Sequence, residues 1–89
     1  MSKVEELYDA IYMNEVVINI VDKYGFVICE ISGMATDILN SGIIIEHTNV
    51  INIDWDMVSS VEKEIIENEA MFVEYTIYTP DYSYVIDVM

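Results

Sequence analysis

Between Ile51 and Glu69 the chain sets Asp54, Asp56, Glu62, Glu64, Glu67 and Glu69 against a single cation, Lys63. Carboxylates at that density can ligate a metal, work as an acid–base pair, or present negative charge to a basic partner. A calcium loop matches at its first and third positions, Asp54 and Asp56, and then fails. Val58 stands at the fifth, Ser59 where glycine is required, and Ile65 where a bidentate glutamate should close the loop. The one histidine, His47, and the one cysteine, Cys29, lie in separate segments and make no zinc set. No metal or other cofactor is implied.

Catalysis finds no better footing. His47 falls in a turn, EHTN, and Cys29 in GFVICEI has no basic neighbour in sequence to activate it, so a buried small side chain is the expectation there. A carboxylate dyad could split its pKa values, but seventeen acids single out no pair. There is no Gly-rich phosphate loop and no arginine anywhere in the chain. The expectation is a protein that is not an enzyme, with no catalytic residue.

The third use of the acids fits the composition. Seventeen acidic residues against Lys3, Lys23 and Lys63 leave a net charge of −14, beyond the magnitude of about 2 to 8 that solubility asks of a small domain. Such a field repels phosphates and anionic headgroups, which excludes direct nucleic-acid and membrane-surface binding and favours a basic partner. Trp55, between two aspartates in DWD, is either a core ring whose indole N–H meets a local carboxylate or carbonyl, or an interface anchor with an acidic rim. Glu5, Glu6 and Asp9 form a second acidic patch.

Positioning these groups falls to one domain, residues 1–89, of which 54% are apolar. That share is enough to fold, and its surplus over one small core predicts a homodimer. The N-terminus MSKVEELYDA has no basic region followed by an apolar core, and no apolar run approaches the roughly eighteen residues of a membrane span, so a soluble, cytoplasmic protein is expected.

SKVEELYDAIYM predicts an amphipathic helix, with Ser2 and Glu5 as a capping box and Val4, Leu7, Tyr8 and Ile11 on one face. Residues 15–31 read as a β-hairpin around DKYG, with Gly25 at positive φ. SGMATDILNSG, between Gly33 and Gly42, suggests a short helix or a looped crossover, and IIIEHTNVINI a second hairpin turning at residues 47–49. Over 59–70 Ser59 and Glu62 offer a capping box, and helix is preferred on propensity; as a strand, Glu62 and Glu64 would share a face about 6.7 Å apart. Residues 71–88 form a third hairpin turning at Thr79, Pro80 and Asp81. The fold class is α+β: an antiparallel sheet built from hairpins, with an N-terminal helix and one or two further short helices. A small β-barrel with an N-terminal helix is the alternative.

In size, acidity and globular apolar content the whole chain resembles the small DNA-mimic inhibitors of bacteriophages and mobile elements. Those families act on restriction enzymes, CRISPR nucleases, uracil-DNA glycosylase or nucleoid proteins of the HU type. The resemblance is one of character, without a shared motif, and it transfers no site residues. It implies an inhibitor that occludes DNA stoichiometrically on the basic surface of a host protein, in the host cytoplasm if phage-encoded; a two-fold symmetric mimic would suit a dimeric nucleoid protein. Asp54, Asp56, Glu62, Glu64, Glu67 and Glu69, then Glu5, Glu6 and Asp9, are the carboxylates to stand in for phosphates, with Trp55 as anchor. An acidic structural or adaptor module for protein–protein contact, without mimicry, is the alternative.

Overall fold

A computed structural model of the chain describes residues 2–39, 41–67 and 71–89. Helix α1 (Ser2–Ile11) is followed by strands β1 (Glu15–Asp22), β2 (Val27–Leu39), β3 (Gly42–Ile45) and β4 (Asn49–Asn52), a 3-10 turn (Trp55–Met57), then β5 (Ser60–Glu67), β6 (Met71–Tyr78) and β7 (Tyr82–Val88). Every pairing is antiparallel, in the order β4-β3-β2-β1-β7-β6-β5. The sheet stays open, with β4 and β5 at its edges, so it is the hairpin sheet with one N-terminal helix and not the barrel. Among the described residues no helix is long and apolar enough to cross a membrane.

Period-two alternation decides the two faces. Val16, Ile18, Ile43, Ile45, Ile51, Tyr75, Ile77, Tyr84 and Ile86 are buried on one side, where Leu7 and Ile11 of α1 cover them. The helix ends against β2: the Met13 N–H donates to the Ala35 carbonyl and the Ala35 N–H to the Asn14 carbonyl. The Ser2 half of the capping box, and Val4 of the helical stripe, fall on side chains outside the described residues.

Three expectations are corrected. Of the helix expected over 59–70, Ser60–Glu67 is strand β5, and Ser59 just before it spends its capping groups on β6: its N–H and its Oγ both donate to the Tyr78 carbonyl, at 2.8 and 3.2 Å. Extended, the segment turns Val61 toward the core and pairs along all of β6, a tertiary gain that outweighs the helix propensity of its glutamates. The helix or crossover expected between Gly33 and Gly42 is the second half of β2, which pairs β3 across a bulge at Thr36. There the Thr36 hydroxyl donates to the Ile44 carbonyl and accepts from the His47 N–H. The only short helical piece among the described residues outside α1 is the 3-10 turn. Cys29, expected buried, is exposed, because the β1–β2 hairpin extends past the core at its tip.

The turns follow their chemistry. Asp22 Oδ1 accepts from the Tyr24 and Phe26 N–H groups and Gly25 takes φ +89°. The second hairpin turns one residue earlier than expected, at Glu46 and His47, both at positive φ, with the Thr48 N–H donating to the Ile45 carbonyl. Gly42 admits no other residue, since a Cβ there would run into the Ile51 carbonyl of the neighbouring strand.

Candidate functional site

The acids of residues 51–69 do not share a surface. Asp54 caps the 3-10 turn, its Oδ1 accepting from the Asp56 N–H at 3.2 Å, and both side chains are exposed at the β4–β5 connection. Trp55 packs against the core edge and its Nε1–H donates to the Leu39 carbonyl at 2.8 Å. That is the core reading of Trp55 with a carbonyl acceptor from a distant strand in place of a local one, and it ties the crossover to the end of β2.

Strand alternation splits the rest. Glu62 and Glu64 lie opposite Thr76 and Glu74, on the face turned away from α1. Glu67 lies opposite Met71, and Lys63 opposite the buried Tyr75, both on the helix side. There Lys63 Nζ stands 3.9 Å from Glu6 Oε1 and 6.0 Å from the Tyr75 ring centroid. With both side chains about half exposed, that ion pair contributes at most about 1 kcal/mol. Glu5, Glu6 and Asp9 are exposed on α1 and belong to that same side. Glu69 lies outside the described residues.

What the outward face adds are two acids that sequence reading left ungrouped, Glu74 and Asp87. The register places Glu64 opposite Glu74 and Glu74 opposite Asp87, three carboxyl groups side by side on β5, β6 and β7. Neighbouring strands are about 4.8 Å apart and alternate residues about 6.7 Å along a strand, so Glu62 completes a compact lattice. Glu30 of β2 joins the next row through Asn19, Val85 and Thr76. Among the described residues no lysine faces outward on these strands. The sequence turn at 79–81 would set Tyr78 against Tyr82 and Glu74 against Ile86; the observed hairpin leaves four residues between Tyr78 and Ser83, and that one-residue shift is what brings Glu74 opposite Asp87.

The electrostatics are those of crowding. A hydrogen bond to Asp87, burial, and then the charges of Asp87 and Glu64 push the Glu74 carboxyl up to about 7. Asp87 Oδ1 is shut off from solvent without a donor, and a proton on Glu74 is what can supply one. Beside them the Tyr78 hydroxyl bonds to Glu62, which raises the tyrosine above its ordinary value together with burial and the Glu62 charge. Glu62, Lys63, Glu64, Glu74, Thr76 and Tyr78 line an open depression of about 440 Å³. Among the described residues no group of three His, Cys, Asp or Glu is arranged to hold a metal ion. The arrangement can hold a proton between two carboxyl groups and can receive cations.

In comparisons with protein-family models, curated proteins and solved structures, nothing matches the chain.

Proposed function

We propose that the chain is a DNA mimic: an inhibitor that docks the outward face of β5, β6 and β7 on the basic DNA-binding surface of a host protein and excludes DNA from it. A nucleoid protein of the HU type or a defence nuclease are the kinds of target meant, met in the host cytoplasm. The observation that carries the reading is the row Glu64, Glu74, Asp87, with Glu62 one step along β5. Like charges directly opposite on neighbouring strands destabilise a sheet. Within the row the fold supplies a proton and a tyrosine hydroxyl, and no lysine among the described residues. An array that its own molecule leaves uncompensated is completed by the lysines and arginines of a partner, which otherwise neutralise phosphates.

Competition tests this. The purified chain should displace duplex DNA from a basic protein of the HU type at about 0.05 M salt and lose most of that effect at about 0.5 M, because exposed charge pairs are screened within a few ångströms there. Binding that ignores salt, or a complex in which DNA and the chain sit on the protein together, contradicts the mimic and leaves the adaptor module, whose support is the apolar tip of the β1–β2 hairpin.

A further inference from the structure

Strand β2 is only half covered. Residues 27–34 pair with β1 on one side, whereas β3 begins its pairing with β2 at Ala35, so among the described residues no strand lies along the other edge of residues 27–32. In an antiparallel ladder every second residue turns its N–H and C=O to that free edge. Apolar exposure runs from the hairpin turn into this stretch: Tyr24 is 75% exposed, Phe26 68%, Val27 59% and Ile28 54%.

The other edges are guarded by the usual means. β5 carries Glu62, Lys63, Glu64 and Glu67, and β4 runs for only four residues. Over 27–32 the sequence VICEIS holds no proline or lysine and a single charge, Glu30. A bare apolar edge of this kind pairs with another strand unless something occupies it.

We infer that a second copy of the chain occupies it, β2 against β2 about a two-fold axis near Cys29, joining the two sheets into one. Charge selects this occupant. In a molecule of net charge −14, residues 16–32 carry only Asp22, Lys23 and Glu30 as charged side chains, a net of −1. Two such molecules meet here with little repulsion, while a basic partner finds far fewer carboxylates than on the outward face of β5, β6 and β7. Symmetry agrees. With the axis on Cys29, Ile28 faces Glu30 and Val27 faces Ile31 of the second copy, whereas an axis on Glu30 would set two carboxylates against each other. A two-fold pair also closes the edge, where head-to-tail pairing would continue into a filament.

Sedimentation equilibrium on the Cys29→Ser chain, which cannot form a disulfide, should show a concentration-dependent dimer. The Val27→Lys/Ile28→Lys chain should be a monomer with an unchanged far-UV spectrum and thermal midpoint, since both side chains are already exposed. A Cys29→Ser chain that stays monomeric to several hundred micromolar, in the range of about 10⁻⁴ M where weak interfaces populate, overturns the inference, as does a dimer that survives both lysines. The outward face of β5–β7 lies across β1 from this edge, so DNA displacement by the lysine variant would separate a failed dimer from a failed mimic.

Discussion

Glu74 is the residue on which the electrostatics of the outward face turn. Its carboxyl meets Glu64 of β5 and Asp87 of β7, with Glu62 and Thr76 one row away and Tyr78 two, and it reaches about 7 against an ordinary 4.5. A carboxyl raised on folding binds its proton more tightly in the native state. The stability it confers is therefore fully present below its unfolded value of 4.5 and lost as pH rises through about 7. The thermal midpoint should fall across that window. Glu74→Gln, which keeps a donor for Asp87 without a charge, should flatten the fall and be the more stable chain above about pH 8. Parallel curves for the two proteins would remove the proton from between Glu74 and Asp87.

At the scale of elements, the strands with β-branched alternation and a proper turn were legible in advance: the DKYG hairpin, the hairpin after Gly42 and the one around Pro80 all formed. Residues 59–67 were not, because their local chemistry favours helix and the deciding term is the partner β6, which no window around Ser59 contains. The same non-locality split the acidic cluster, since side-by-side glutamates in a helix become opposite faces in a strand. The site was thus half legible: Glu62 and Glu64 from density, Glu74 and Asp87 only from register. One element carries avoidable strain. Glu46 and His47 both take positive φ, which costs a non-glycine residue roughly 1–2 kcal/mol. Glu46→Asn/His47→Gly supplies the residues that a type I′ turn prefers and should raise the unfolding free energy by roughly 1 kcal/mol after the added chain entropy of glycine. Equilibrium denaturation would show it as a higher midpoint at unchanged slope; an unmoved midpoint would mean the turn is unstrained.

The whole molecule divides its labours by face. The helix side holds the core and ties Lys63 to Glu6, the tip of the first hairpin is apolar and nearly uncharged, and the outward face of β5, β6 and β7 gathers carboxylates that no lysine among the described residues neutralises. If the protein works as an anionic decoy, that face and not total charge should govern binding. The most direct measurement compares two chains of identical net charge in DNA displacement from a basic DNA-binding protein. One is Glu62→Lys/Glu64→Lys, reversed on the outward face; the other is Glu5→Lys/Glu67→Lys, reversed on α1 and on the helix side of β5. The first should lose displacement by at least about 100-fold, on the order of 3 kcal/mol for severed charge contacts, while the second stays within a few-fold of the parent. Equal losses in both would reduce the effect to bulk charge, and full displacement by the outward-face variant would contradict the account.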